Sequence, residues 1–255
     1  MKAIILAAGR GSRLNHITDG KPKCLVEIAG RTLLDWQTAA LKIAGIDDIT
    51  VLRGYMKELI VGKHINVIDN PRWSETNMVA TLYCARDILA KYPAVVAYSD
   101  ILYHPSIITG LMKAESGITI TYDTLWESLW SERFTDPLKD AETFQTEKGK
   151  VTAIGEKTDQ IRHIQGQYMG LLKFTPAGWQ EVERLLSGLD ADRRDRLDMT
   201  SMLRLLIQRG ISVRAMAISG RWCEIDSAAD LNLYQRKIGE VETAGREWSH
   251  DWRWH

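Results

Sequence analysis

Short apolar runs alternate with helix-like patterns along the first half of the chain. Residues 2–7 form an apolar run that ends in glycines, which predicts a buried strand. Residues 32–44 repeat apolar side chains at helical spacing, and Gly45 follows where a helix-ending glycine belongs. Further strands are predicted at Ile49–Leu52, Ile65–Ile68, Ala94–Tyr98 and Ile118–Tyr122, with helices at 77–90 and 105–114. This alternation predicts an α/β protein with a mixed, mostly parallel sheet and helices on both faces.

The second half of the chain carries a weaker pattern. Strands are expected at 150–154, 168–174 and 211–218, and helices at 176–186, 198–208 and 227–237. Residues 125–150 show little periodicity of either kind, although they contain two tryptophans. The charged stretch 190–198 is expected to be a solvated surface loop.

Composition excludes several classes of protein. Lysine plus arginine is 33 and aspartate plus glutamate is 33, so the formal charge is zero, which argues against a nucleic-acid coat or a polybasic membrane binder. No apolar run approaches the ~20 residues that a membrane span needs. The three cysteines form no zinc set, and an odd count without a framework suggests a reducing compartment. We therefore expect a cytoplasmic protein that binds neither nucleic acid nor membrane.

The most informative stretch is a glycine loop after the first strand, Leu6 to Leu14, followed by Lys21-Pro22-Lys23-Cys24-Leu25. Small residues let the backbone approach a ligand closely, and successive N–H groups can bind an anion. Arg13 and Lys23 add full positive charges for phosphate oxygens. A dinucleotide fingerprint is disfavoured because Leu14 stands where a third glycine is required, and Gly20-Lys21-Pro22 does not form a Walker loop.

The string Leu6-Ala7-Ala8-Gly9-x-Gly11-x-Arg13-Leu14, then Pro22-Lys23-x-Leu25, resembles the nucleotidyltransferases that activate sugar phosphates and related phosphate esters. This resemblance implies a Rossmann-like nucleotidyltransferase fold and a dependence on Mg²⁺. It divides the chain into one catalytic domain, 1–237, and a Trp-rich tail, 238–255. Within the domain, 1–123 would bind the nucleotide and 124–237 the acceptor. A homodimer is left open.

The branch of the family is indicated by two segments. Residues 74–82 and the run Glu224-Ile225-Asp226-Ser227 look like those of CTP-using phosphocholine and phosphonate cytidylyltransferases. The resemblance implies transfer of CMP from CTP to a small phosphate ester or phosphonate, with release of pyrophosphate, for cell-surface polysaccharide or phosphonate biosynthesis. Phosphocholine, 2-aminoethylphosphonate and an amino-acid phosphate such as phosphoglutamine remain open as acceptors.

The resemblance also assigns roles to individual residues. Asp100, at a strand end, and Asp226 would hold Mg²⁺, with Glu224 as a further candidate. Arg13 and Lys23 are the candidate catalytic cations. The candidate nucleotide contacts are Leu6, Ala7, Ala8, Gly9, Gly11, Ser12, Asn77 and Thr81. Helix capping is the competing interpretation of Asn77.

The acceptor pocket is expected in the second half. Trp126, Trp130 and Tyr168 could form an aromatic cage for a quaternary ammonium, and Arg133 could contact a further anion. Core or lid packing is the competing interpretation of these aromatics. The six histidines are scattered, and we expect them at the surface or in turns.

Two other functions stay open at this stage. One is a sugar-1-phosphate nucleotidyltransferase that uses UTP, GTP or dTTP. The other is an inactive regulatory module on the same fold, although such a module has no physical need to keep Arg13, Lys23, Asp100 and Asp226 together.

Overall fold

The computed structural model describes residues 1–11, 20–62 and 64–254. In the described part of the chain, no helix combines the length and apolar composition that a membrane crossing requires. The strands are β1 (Lys2–Ala7), β2 (Glu27–Ile28), β3 (Arg31–Thr32), β4 (Ile49–Arg53), β5 (Asn66–Asp69), β6 (Ala94–Tyr98), β7 (Ile101–Tyr103), β8 (Ile118–Asp123), β9 (Glu142–Glu147), β10 (Lys150–Lys157), β11 (Gln167–Phe174), β12 (Val213–Ile218) and β13 (Trp222–Glu224). The helices are α1 (Leu33–Ile43), α2 (Met78–Tyr83), α3 (Arg86–Leu89), α4 (Pro105–Met112), α5 (Trp126–Arg133), α6 (Pro176–Ser187), α7 (Ala191–Arg196), α8 (Met199–Gln208) and α9 (Ala228–Ala244).

A nine-stranded sheet forms the centre, in the order β5-β4-β1-β6-β11-β8-β12-β10-β9. The strands β5, β4, β1 and β6 are mutually parallel, and β8 is parallel to β12. The strand β11 runs antiparallel to both β6 and β8, and β10 runs antiparallel to β12 and β9. The expected mixed, mostly parallel sheet of a Rossmann-like α/β fold is therefore confirmed.

Apolar side chains cover both faces of the sheet. In β1, Ala3 and Ile5 point into one core while Ile4 and Leu6 point into the other, because successive side chains of a strand face opposite sides. The first core includes residues of α1, α4, α5 and α9, and the second includes residues of α2, α6 and α8. Burial on both faces explains why β1 is a continuous apolar run.

The C-terminal segment packs on the body of the protein. The helix α9 continues to Ala244, beyond the expected boundary at residue 237, and Gly245 ends it with a left-handed φ of 61°. Trp252 is fully buried, and its ring meets that of Trp36 edge to face at a centroid distance of 6.1 Å. The Trp-rich tail is therefore part of the first core.

Three expectations about local structure were wrong. The helix expected at 77–90 is split into α2 and α3, because Cys84 and Ala85 donate to carbonyls three residues back and tighten the turn. The charged stretch 190–198 contains the helix α7, which Asp190 caps. His250 is buried, and its Nε2 lies 2.8 Å from the Oδ2 of the fully buried Asp123.

Candidate active site

A cavity of about 300 Å³ opens where β1 and β6 end. This is the edge at which open α/β sheets place their ligands. Its walls come from the glycine loop, from the stretch before and within α2, from the end of β6 and from the segment just before α9. The lining residues are Leu6, Ala8, Gly9, Gly11, Lys23, Trp73, Thr76, Asn77, Met78, Thr81, Tyr98, Ser99, Asp100 and Asp226.

The glycine loop and Lys23 pack directly against each other. Lys23 opens a short 3-10 turn, Lys23–Leu25, and is only 9% exposed. Gly11 has a left-handed φ of +70°, and a Cβ there would lie 2.8 Å from the Cβ of Lys23. A side chain at Gly11 would therefore both strain the loop and push Lys23 out of place.

Lys23 lies between two carboxylates from opposite halves of the sequence. Its Nζ donates to Asp100 Oδ2 at 2.8 Å and to Asp226 Oδ1 at 2.6 Å. Burial opposes the charge of Lys23, but the two carboxylates outweigh it, so the pKa of the ammonium is raised above its usual value. The ammonium is therefore charged at neutral pH and neutralises one of the two carboxylates.

The backbone around Asp226 is fixed by the start of α9. Ser227 and Asp230 form a capping box there. Asp230 Oδ2 also accepts from the backbone N–H of Asp226 at 3.0 Å. On the preceding residue, the N–H of Ile225 donates to the backbone carbonyl of Asp100 at 2.9 Å, which ties the two acidic positions together.

The carboxylate pair fits a divalent cation. Asp100 Oδ1 is buried and has no hydrogen-bond partner among the described residues, so a ligating oxygen is left over. Carboxylate oxygens are the ligands that Mg²⁺ prefers. Within the described ranges no three His, Cys, Asp or Glu side chains form a metal cluster, so Asp100 and Asp226 stand as a pair. A cation between them requires the Lys23 ammonium to move onto another anion.

Trp73 forms one wall of the cavity. A Cβ on Gly54 would lie 2.4 Å from Trp73 Cβ and 2.7 Å from the carbonyl oxygen of Ala8, so only glycine permits this close approach. The ring of Tyr55 packs against Trp73 at a centroid distance of 5.4 Å. The Gly-Tyr pair that follows β4 therefore places an aromatic surface beside the glycine loop.

Asn77 and Thr81, two polar residues predicted to contact the nucleotide, both line the cavity. Asn77 caps α2, since its Oδ1 accepts from the N–H of Met78 at 2.7 Å, and its Nδ2 donates to the carbonyl of Arg196 at 3.2 Å. Thr81 Oγ1 accepts from the buried Asn70 at 2.9 Å. The capping interpretation of Asn77 is thus confirmed, while its contact with the nucleotide stays a prediction.

The helix α7 supports this wall from outside. The N–H of Asn77 donates to the carbonyl of Asp195 at 2.6 Å, and the N–H of Val79 donates to that of Leu197 at 3.3 Å. The carboxylate of Asp195 pairs with Arg72 at 2.5 Å. The charged stretch that looked like a free loop therefore holds the segment that forms one side of the cavity.

The predicted acceptor residues lie in the cores rather than along the cavity. Trp130 is fully buried and donates to Asp140 at 3.0 Å, and Trp126 is 4% exposed. Tyr168 is 8% exposed and packs edge to face on Tyr98. These rings lie in the cores, as the competing interpretation of core packing expects. Their contact with an acceptor stays a prediction.

Arg133 is enclosed by acids and rings. Its guanidinium side chain is 0% exposed, donates to Asp230 at 2.8 Å and to Glu224 at 3.2 Å, and stacks on Trp130 with 4.6 Å to the ring centroid. Burial opposes its charge, but Glu224 and Asp230 outweigh it, so the pKa of Arg133 is raised. The anions that Arg133 contacts in this structure are therefore the carboxylates of Glu224 and Asp230.

Glu224 is drawn toward Arg133 instead of the cavity. Its pKa is raised to about 7, mainly by burial and also by the neighbouring Asp226 and Asp100, while Arg133 opposes the rise. Its carboxylate does not line the cavity. Its role as a further metal ligand stays a prediction.

Of the remaining predicted residues, Arg13 and Ser12 lie outside the described residues, and Ala7 is buried in the first core. The cavity also contains residues that sequence reasoning missed, namely Trp73, Thr76, Met78, Tyr98 and Ser99. Each lies within one position of a segment already singled out, either 74–82 or the strand end before Asp100. Closeness in sequence to these segments was the signal that could have identified the missed residues.

Residues 3–155 match the family model described as a MobA-like NTP transferase domain. The chain belongs to this family. It is 37% identical to the CTP:phosphoglutamine cytidylyltransferase of Campylobacter jejuni, over 93% of this chain and 100% of that protein. It is 38% identical to the choline-phosphate cytidylyltransferase of Streptococcus pneumoniae, over 35% of this chain and 41% of that protein.

Solved structures of nucleotidyltransferases share the fold of this chain. The structure of the inositol-1-phosphate CTP transferase from T. maritima superposes with a TM-score of 0.74 at 20% identity, covering 94% of this chain and 96% of that one. The family model and the relative that matches over its whole length confirm the family resemblance stated from the sequence, and the protein is a nucleotidyltransferase. Enzymes of this type generally use a divalent metal.

Proposed function

We propose that this nucleotidyltransferase transfers CMP from CTP to a small phosphorylated acceptor and releases pyrophosphate. The observation that carries the reaction class is the ammonium of Lys23, which bridges Asp100 and Asp226 beside the Gly9–Gly11 loop. The choice of CTP follows the relative that matches over its whole length. That relative also makes an amino-acid phosphate of the phosphoglutamine type the leading acceptor class.

The catalytic problem is to hold two anionic reactants in line. An oxygen of the acceptor phosphate attacks the α-phosphorus of CTP, the bond to the pyrophosphate oxygen breaks, and pyrophosphate leaves with that electron pair. Because the attacking oxygen is already an anion, no general base is needed. The protein therefore contributes position and positive charge.

The chain supplies these contributions at three points. The backbone at Gly9 and Gly11 lies at the cavity wall, where small residues allow the triphosphate to come close. Lys23 can turn from the carboxylates to the α-phosphate or the acceptor phosphate and stabilise the charge that develops there. Trp73 and the segment around Asn77 and Thr81 offer a flat ring and polar groups for the base.

Asp100 and Asp226 would hold Mg²⁺, which when bound would neutralise phosphate charge and orient the reacting groups. The two carboxylates and the buried, unpartnered Asp100 Oδ1 support this assignment. Their fixed backbone, tied through Ile225 and Asp230, keeps the carboxylates close to each other before any substrate arrives.

A pyrophosphate-release assay tests the proposal. The full chain is incubated with Mg²⁺, each of five nucleoside triphosphates, and a panel of phosphoglutamine, phosphocholine, 2-aminoethylphosphonate and hexose 1-phosphates. We expect release with CTP and an amino-phosphate, and none from an Asp100→Asn variant.

Two outcomes would contradict this function. Release with hexose 1-phosphates and UTP, GTP or dTTP would make the protein a sugar-1-phosphate nucleotidyltransferase. If no member of the panel gives pyrophosphate release but calorimetry still detects nucleotide binding, the result would favour an inactive regulatory module.

A further inference from the structure

One polar side chain interrupts the buried face of α1. Leu33, Leu34, Ala40 and Leu41 pack that face into the first core, and Gln37 stands among them at the same helical spacing while only 1% exposed. A buried amide in such surroundings is costly unless its hydrogen bonds are made. The question is therefore what Gln37 bonds.

Its amide spans the connection that carries Asp100. Gln37 Nε2 donates to the carbonyl of Tyr98 at 2.9 Å and to the carbonyl of Ile101 at 2.6 Å. Tyr98 is the last residue of β6 and Ile101 the first of β7, so the two carbonyls bracket Ser99 and Asp100. One side chain thereby fixes both ends of the turn.

The other end of the amide carries a cost. Gln37 Oε1 is buried and has no hydrogen-bond partner among the described residues. Leaving a buried acceptor unpaired is destabilising, because the oxygen loses its bonds to water and gains none in the protein. The residue is therefore placed for its two donated bonds, which both act on the Asp100 turn.

Asp100 is also held from the opposite side. Its backbone carbonyl accepts from the N–H of Ile225 at 2.9 Å, next to Asp226. Gln37 and Ile225 together restrain the peptide units on both sides of Asp100, and Lys23 then reaches both carboxylates. Without Gln37, the contacts that other described residues keep with this turn come from Ile225, from Lys23 and from the adjoining strands.

We propose that Gln37 is a positioning residue that fixes Asp100 relative to Asp226 and so sets the affinity of this carboxylate pair for the divalent cation. The inference rests on the proposed function, since that function requires the cation. Residues behind metal ligands typically change metal affinity or activity by about 10- to 100-fold when altered. We expect an effect of that size.

The test compares two full-length variants that lose the same kind of interaction. Gln37→Met removes the two bonds to the carbonyls around Asp100. Lys173→Met removes two bonds from a buried side-chain nitrogen to the carbonyls of Met112 and Ala114, at the opposite end of β11 from the cavity. Gln37→Asn, an amide one methylene shorter, replaces Gln37→Met if the latter does not fold.

The first measurement is hydrogen exchange of peptides that contain the amides of residues 99–101 and 225. We expect these amides to exchange faster in Gln37→Met and to keep the wild-type rate in Lys173→Met. The second is the Mg²⁺ concentration for half-maximal turnover, which should rise about tenfold only in the Gln37 variant, with the KM for CTP at saturating Mg²⁺ unchanged.

Equal exchange in the Gln37 variant and the wild type, or equal acceleration in both variants, would overturn the inference. So would an unshifted Mg²⁺ dependence. If the wild type turns over no substrate, the proposed function fails, yet the exchange comparison still decides whether Gln37 positions Asp100.

Discussion

Two clusters in this protein each place one cation between two carboxylates. Both clusters take carboxylates from the short segment 224–230. In the first, Lys23 lies between Asp100 and Asp226. In the second, Arg133 lies between Glu224 and Asp230. Among the described residues both clusters contain one cation and two carboxylates, but the first cluster opens onto the cavity and the second is enclosed by the core.

The two cations differ in how firmly they are held. The guanidinium of Arg133 is 0% exposed, contacts both oxygens of Asp230 and is stacked on the rings of Trp130 and Phe134. A planar fork in such surroundings has one low-energy position. The ammonium of Lys23 is a point charge on a flexible stem, and its carboxylate partners are about one quarter exposed.

This difference in mobility suits the Lys23 cluster to catalysis and the Arg133 cluster to structural support. A cation that can leave its carboxylates for a phosphate is useful in a reaction that brings several negative charges together. A cation that cannot leave keeps its acids in place, and Asp230 in turn holds the backbone of Asp226. The enclosed cluster therefore shapes the open one.

The largest expected effect on activity comes from neutralising Lys23. Lys23→Gln removes the charge that stabilises the transition state, so kcat/KM should fall at least about 100-fold, or about 2.7 kcal/mol. Steady-state kinetics of pyrophosphate release measure this loss. The variant also leaves Asp100 and Asp226 facing each other, so Mg²⁺ should raise its Tm more than it raises that of the wild type.

Lys2→Gln is the matched control, because Lys2 also pairs with a carboxylate, Asp48, at 2.6 Å but far from the cavity. Its kinetics should stay at the wild-type level. Near-normal turnover of Lys23→Gln would remove Lys23 from the catalytic machinery and leave both clusters with a supporting role.

The next effect concerns stability. Arg133→Met leaves Glu224 and Asp230 without their buried counter-charge, and breaking such a pair costs about 3–5 kcal/mol of unfolding free energy. Urea denaturation measures it. Arg53→Met is the control: Arg53 is also mostly buried, but its partner Asp69 keeps Lys57, so a smaller loss is expected.

The same variant separates the two interpretations of Arg133. If Arg133 contacted the acceptor, Arg133→Met would raise the KM for the acceptor with little change in stability. A stable variant with that kinetic defect would contradict the division between an open and an enclosed cluster.

The sequence was informative where function depends on local backbone. The glycine loop, Lys23 and Asp100 could be placed because strand ends and small residues are visible in one segment of chain. Whether a tryptophan in 125–150 faces a pocket or the core depends on neighbours far away in sequence. Trp130, for example, packs against Trp222 from β13.

Gln37 shows a second limit. Its helical spacing places it on the buried face of α1, but its partners are backbone carbonyls at residues 98 and 101, and no pattern of side chains reveals them. The buried pair of Asp123 and His250 is similar, since it joins positions 127 residues apart. Such contacts follow from the tertiary structure alone.

The smallest expected effect comes from an exposed ion pair, Arg72 with Asp195, which braces the cavity wall from α7. Ion pairs with a solvent-exposed partner contribute little, so Asp195→Ala should raise the KM for CTP only about 1.5- to 5-fold and leave kcat unchanged. The bond from the N–H of Asn77 to the backbone carbonyl of residue 195 survives the substitution, which limits the loss. Initial rates over a range of CTP concentrations measure it.

Asp192→Ala supplies the control, because Asp192 pairs with Arg196 inside α7 and does not reach Arg72. Both variants lose an ion-paired carboxylate from the same helix, so a KM increase in Asp195→Ala alone locates the effect at the cavity wall. Equal KM values in the two variants would mean that α7 acts on the nucleotide segment through its backbone only. The decrease in effect from Lys23 through Arg133 to Asp195 would then follow how deeply each side chain is buried and whether it contacts the carboxylates of the two clusters. Distance from the cavity would not determine it.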